Sequence, residues 1–288
     1  MTKAFLIALM RQMSVVPLLP FSVKLSLAQR YRHLRFFLPS GEQFVYDAYL
    51  DRFKVNIDTT YPIEVEMATG HYDLTTSAII RQFVHQKDTV IDVGANVGAL
   101  TLLMASVASS GRVLAIEPGP STFTRLKDNL ELNPQLKAIV QIFSLGLADK
   151  AGELFWQEDP NVPGNAGLLN EGGFRVSVKT LDQFAEEQRL KRLDFVKIDV
   201  EGMEYEVICG GLEAIARFRP VLYYETLESF RQHRGFDIYN AIFDQLCQMN
   251  YRQFYVLPDG KLSEAKDLTT LKSPNTLAVP AEKCSGRF

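Results

Sequence analysis

"TVIDVGANVGALTLLMA", Thr89 to Ala105, is an apolar β-branched run that ends in Asp92, turns through Gly94 and Gly98, and continues as a helix-length apolar segment. Strand, glycine turn and helix in that order make the first half of a βαβ unit. Glycine suits a turn where backbone must approach a ligand, because no Cβ stands in the way. The helix that follows offers free N–H groups and the positive end of its dipole, a favourable place for a polar or anionic group. By itself a two-glycine turn carries little information, and Asp92 can equally serve only to cap the helix.

Working outward, the next strand "RVLAIEP" ends in Glu117. A carboxylate at that place can accept the hydroxyls of a ribose, which is how open α/β sheets recognise adenosine. NAD and S-adenosylmethionine both fit this logic, and the glycine spacing separates them. A dinucleotide fold asks for G-x-G-x-x-G, whereas the run here is Gly94-Ala-Asn-Val-Gly98.

From residue 88 onward, short β-branched runs alternate with helical patterns, the signature of a parallel sheet covered by helices. Strands are expected at about 89–93, 112–117, 139–145, 194–199 and 219–225, and helices over Val97 to Ala108 and Ser121 to Asn133. After the third strand, "GELFWQED" and "FRVSVKT" read as strands of a hairpin-like insertion, with Thr180 as N-cap of the next helix. The Gly-rich loop from Asp159 to Gly173 is long enough for a substrate lid and equally suits a plain surface excursion. A helix is expected over Asp237 to Met249, and Tyr251 to Leu257 with Thr276 to Val279 is expected to close the sheet as an antiparallel pair across the "PDGK" turn.

"KIDVEGMEYEVICGG", Lys197 to Gly211, brings carboxylates to the end of the fourth strand. Ligands of open α/β sheets gather outside the carboxyl ends of the strands, so Asp199 is a candidate catalytic residue. Glu225 ends the fifth strand on the same edge and is a second candidate; the two can position a hydroxyl and accept its proton. Glu201 either faces the acceptor or stabilises the turn at Gly202, while Glu204 and Glu206 suit the start of a helix. Lys197 sits in an otherwise apolar strand and needs a partner or a path to solvent. His71 and His233 have suitable basicity for a general base, and a non-catalytic place suits each as well. No metal site is expected, because two carboxylates lack a third ligand and the histidines form no H-x-x-x-H.

The chain has 288 residues, 47% hydrophobic and 23% charged, enough for one large core. A formal charge of −3 gives no basic footprint for nucleic acid. Three scattered cysteines form no C-x-x-C, which fits a reducing compartment. No acidic residue precedes Glu42, whereas Lys3, Arg11, Lys24, Arg30, Arg32 and Arg35 do. The apolar run Ala4 to Met10 is too short to span a bilayer. The segment reads as packed on the core or as a peripheral membrane contact through residues 1–40; a transit peptide is disfavoured by few serines and by Pro17 and Pro20.

The first motif resembles the D-x-G-x-x-x-G of class I S-adenosylmethionine-dependent methyltransferases, whose commonest form has another glycine where this chain has Asn96. Together "DVGANVG", "AIEPGPSTFTRLKDNLELN" and "FVKIDVEGMEYEVICGG" resemble the FkbM-type methyltransferases, in which the asparagine variant and a K-x-D-x-E-G segment are characteristic. The resemblance covers roughly residues 75 to 225. It implies a class I Rossmann-like sheet, mostly parallel with an antiparallel last strand and helices on both faces, behind an N-terminal extension. Residues 1–70 would be that extension and 71–288 the methyltransferase domain. It further implies S-adenosyl-L-methionine as cofactor, held by Asp92, Gly94, Asn96, Gly98, Glu117 and Asp149. Asp92 would help hold the methionine end; Asp149, in the looser match of Gly146, Ala148 and Asp149 to an "ALxD" stretch, would lie beside the adenine. The implied reaction is O-methylation of a small-molecule or glycan hydroxyl, with Asp199, Glu225 and His71 as catalytic candidates and Glu201 toward the substrate. A cytoplasmic enzyme, with or without membrane association, is the corresponding expectation. The competing reading is a non-catalytic nucleotide-binding module attached to a membrane or a protein partner.

Overall fold

The computed structural model describes residues 20–30, 38–158, 166–169, 173–231 and 236–284. Two compact units divide the chain, Met1–Leu74 and Thr75–Phe288. The first contains α1 (Phe21–Arg30), the antiparallel hairpin β1 (Gln43–Tyr49) and β2 (Phe53–Asp58), and α2 (Pro62–Thr69). Fully buried Glu64 accepts the Asp58 backbone N–H at 2.6 Å, tying α2 to the hairpin, and Gln29 of α1 donates to the Ala68 carbonyl at 3.0 Å. The hairpin was not legible in the sequence. Membrane contact through residues 1–40 falls largely on 1–19 and 31–37, outside the described residues. No helix among the described residues is long and apolar enough to cross a membrane.

In the second unit, α3 (Leu74–Phe83) is followed by β3 (Thr89–Val93), α4 (Ala99–Val107), β4 (Arg112–Ile116), α5 (Pro120–Glu131) and β5 (Val140–Phe143). An insertion holds β6 (Gly146–Leu147), β7 (Gly152–Glu158), β8 (Ala166–Leu169) and β9 (Phe174–Lys179). The chain continues through α6 (Leu181–Glu187), β10 (Phe195–Ile198), α7 (Glu204–Cys209), α8 (Leu212–Phe218), β11 (Val221–Glu225), α9 (Glu228–Arg231), α10 (Ile238–Gln248), β12 (Tyr251–Val256), β13 (Leu262–Glu264) and β14 (Asn275–Pro280). Thr180 caps α6 with a capping box to Gln183.

The main sheet has the order β13-β12-β14-β11-β10-β3-β4-β5, with β5, β4, β3, β10 and β11 parallel and β14 antiparallel to β11. This is the expected mostly parallel α/β fold. The central strands read as continuous apolar runs because both faces are covered; every residue of β3 and of β10 is buried. Register brings Val93 beside Ile116 and Ile198, and Ile198 beside Tyr224, so the chain leaves these strands along one edge.

Two details differ from expectation. The "PDGK" turn does not join the closing pair: with Gly260 at φ +78 it reverses β12 into the short β13, and β14 inserts between β12 and β11. The segment between "GELFWQED" and "FRVSVKT" is not all loop, since β8 pairs with β7 and β6 joins β9, making a separate sheet of order β6-β9-β7-β8. Residues 159–165 and 170–172, which carry most of the lid expectation, lie outside the described residues, as does His233.

Candidate active site at the carboxyl edge of the sheet

Lys197 is the centre of the edge. Its position in β10 pairs in register with Asp92 of β3, and its side chain is 4% exposed. The ammonium donates to the Gly94 carbonyl at 2.9 Å and lies 3.4 Å from Asp92 Oδ1 and 3.3 Å from Asp199 Oδ2. A cation withdrawn from water needs such partners. Asp92 is fully buried, and its other oxygen accepts the Thr101 hydroxyl of α4 at 2.6 Å. Its carboxylate is thus turned to Lys197 and to the helix start, so any hold on a ligand's amino-acid end is exerted through them.

The glycines have structural reasons of their own. Gly94 has φ +76, and a Cβ there would fall 1.8 Å from the Asp199 carbonyl oxygen; Gly98 has φ +90 with Leu126 Cδ1 2.6 Å from the same position. The space freed by the missing side chains is therefore filled by β10's exit and by α5, rather than left for a ligand. Asn96 stands at φ +50, the left-handed region that asparagine tolerates best after glycine, which accounts for it where the commonest motif has glycine. Its Oδ1 accepts the Val97 N–H at 2.8 Å.

Glu117 leaves β4 3% exposed. Oε2 accepts the Asn96 N–H at 2.8 Å, while Oε1 accepts the Gly119 N–H at 2.8 Å and the Thr122 hydroxyl at 2.7 Å. Burial raises its pKa, and these three donors and the Lys197 charge pull it back. A carboxylate has about four acceptor positions. These three donors leave one position, on Oε2.

After β10 the chain turns through Glu201 at φ +55 and Gly202 at φ +100, where a Cβ would press on the Phe230 ring at 3.0 Å. Glu204 pins this turn: fully buried, its Oε1 accepts the N–H groups of Val200 at 3.1 Å and Gly202 at 3.3 Å. Burial pushes its pKa up to about 7. The sequence reading assigned Glu204 only to the dipole of α7; its spacing of two from Gly202 was the signal for a turn clamp.

Asp199, with a side chain 36% exposed, faces the carboxylates of Glu201 and Glu225. Withdrawal from water, then the Asp199 charge, pushes Glu201 up to about 7, with Lys197 opposing. Glu225 is raised further, to about 9, first by burial and then by Asp199, Glu201 and Glu204. Glu225 therefore holds its proton more tightly than an ordinary carboxyl group does. No metal-binding group of three or more ligands occurs among the described residues.

Asp149 is exposed; the pKa of Tyr205 is raised first by its contact with Cys209 and that of Cys209 first by burial, with the Asp149 charge the smallest contribution to each. His71 belongs to the N-terminal unit, where its backbone N–H bonds the Glu66 carbonyl at 2.9 Å. The sequence leaves Trp156 between stacking on a sugar and burial in the core; its indole packs at Gly119, two residues past Glu117.

A sheet of this strand order, five parallel strands with an antiparallel strand beside β11, has the architecture of the class I methyltransferase fold. The methyltransferase FkbM domain matches residues 92–253, more than half of the chain, and the chain belongs to that family. The methyltransferase sdnD of Sordaria araneosa is 30% identical over 191 residues, 52% of this chain and 73% of that protein. The hexuronic acid methyltransferase AglP of Haloferax volcanii is 28% identical over 138 residues, 48% of this chain and 55% of AglP. The crystal structure of methyltransferase FkbM from Methylobacillus flagellatus superposes with a TM-score of 0.46 at 18% identity, over 68% of this chain and 44% of that one.

Proposed function

We propose that the second unit transfers a methyl group from S-adenosylmethionine to a hydroxyl of a sugar, glycan or natural product. The observation that carries this reading is Lys197, fixed between Asp92 and Asp199 at the carboxyl edge. When bound, S-adenosylmethionine supplies a methyl group already activated by its sulfonium. Glu117 would hold a ribose hydroxyl, as one acceptor position on Oε2 allows, and Asp149 and the Gly94–Gly98 turn would complete the cofactor side.

On the acceptor side, Asp199 accepts the proton of the attacking hydroxyl. Lys197 orients it, and Glu225, protonated near neutral pH, donates a hydrogen bond that fixes the acceptor. Glu201 borders the same space. A positioned base is worth about a hundredfold to ten-thousandfold, and alignment of the reacting atoms supplies most of the remainder. AglP, named for hexuronic acid, favours a sugar acceptor.

The test is transfer from labelled S-adenosylmethionine to a panel of glycans and hydroxylated small molecules. Asp199→Asn should lower kcat by about a hundredfold or more while calorimetric affinity for S-adenosylhomocysteine stays unchanged. Cofactor binding by the wild type with no transfer to any acceptor favours the non-catalytic module instead.

A further inference from the structure

Trp156 is the chain's single tryptophan and lies on β7 of the insertion sheet. The residue is 8% exposed, and its indole nitrogen is buried without a hydrogen-bond partner among the described residues. A buried N–H with no acceptor costs free energy, and tryptophan in protein interiors usually finds one. A Cβ on Gly119 would fall 2.7 Å from Cζ2 and 2.8 Å from Cε2 of the ring, and 2.4 Å from the Thr122 hydroxyl. Cε2 is the atom bonded to the indole nitrogen. The partnerless N–H is therefore at the ring edge that meets Gly119, whose own N–H and whose neighbour Thr122 both bond Glu117.

We infer that Trp156 is a nucleoside-binding residue: its ring walls the Glu117 end of the cofactor site, and its N–H donates to an oxygen or ring nitrogen of the bound nucleoside. The inference rests on the cofactor reading above and adds a residue from outside the parallel sheet. It explains why Gly119 carries no side chain, since any Cβ would displace the indole. It also explains why the insertion sheet places a large aromatic residue at this point with its one polar atom unused. The contact is one of binding and orientation, with no covalent step.

Because no other tryptophan is present, fluorescence excited at tryptophan alone and the single indole N–H peak of isotope-labelled protein both report this side chain. Titration of the full chain with S-adenosylhomocysteine should change the fluorescence saturably, with the calorimetric Kd, and should shift the indole N–H peak as a hydrogen bond forms. Trp156→Phe, which keeps most of the packing, should weaken binding about fivefold. Calorimetric binding with no movement of either wild-type signal overturns the inference and leaves the cofactor reading standing. Absence of calorimetric binding by the wild type overturns both. The two wild-type signals decide the matter even if Trp156→Phe does not fold.

Discussion

Glu117 and Glu225 leave neighbouring regions of one sheet edge, and burial raises the pKa of both. Their surroundings then push in opposite directions. Glu117 collects two backbone N–H groups and a hydroxyl, which stabilise its charge. Glu225 meets the like charges of Asp199, Glu201 and Glu204, with Lys197 as the opposing cation, and these favour its protonated form. Burial alone does not decide what a carboxyl group does; the groups around it do. One end of the edge thereby favours a charged carboxylate and the other a protonated one.

The strongest way to break this division is to remove the cation common to both ends. Lys197→Met leaves Asp92 buried without its ion pair, and losing one partner of such a pair costs about 3 to 5 kcal/mol. Denaturant unfolding should show a loss of that size together with loss of transfer. A variant of near wild-type stability would mean that Lys197 does not hold the edge together.

Glu117→Ala should weaken S-adenosylhomocysteine binding by at least about tenfold, since hydrogen bonds to a charged group are among the stronger ones. Calorimetry with undiminished affinity would remove Glu117 from the cofactor site.

Glu225→Gln tests the other end through stability. The folded-state pKa is raised, so the folded protein binds the proton more tightly than the unfolded chain does. Stability is lost as pH rises from the ordinary carboxyl range through about 9. Glutamine has no proton to lose, so the variant should gain on the wild type as pH rises above the ordinary carboxyl range. A Tm difference that stays constant between about pH 5 and pH 8 contradicts the assigned protonation.

The smallest effect is expected for Asn96→Gly. It keeps the N–H that bonds Glu117 and a backbone suited to positive φ, so cofactor affinity should stay within about twofold. A larger loss would show that the Asn96 side chain itself meets the ligand.

Much of this edge was legible before the structure. The β-branched runs fixed β3, β4, β10 and β11, because a strand covered on both faces has to be apolar throughout, and a carboxylate closing such a run has to lie at an exit. Glycine at 94 and 98 was legible as a turn, but its reason was not. The carbonyl that excludes a Cβ at Gly94 comes from Asp199, far along the chain. The hairpin β1–β2 is missed because a partly exposed β1 carries little periodicity, and β8 because it has only four residues. Glu204 was assigned to a helix dipole because its hydrogen bonds run backward to Val200 and Gly202, a closure that only the folded turn creates.

The sequence by itself determined the order of the parallel strands and the helices between them, the glycine and carboxylate positions, and the FkbM family, since all of these lie in local patterns of polarity and spacing. The tertiary structure decided the donors and charges around each carboxylate and brought Trp156 from the insertion sheet to Gly119. Charge state depends on which donors and charges surround a buried group in space, and those come from strands that the chain order keeps apart.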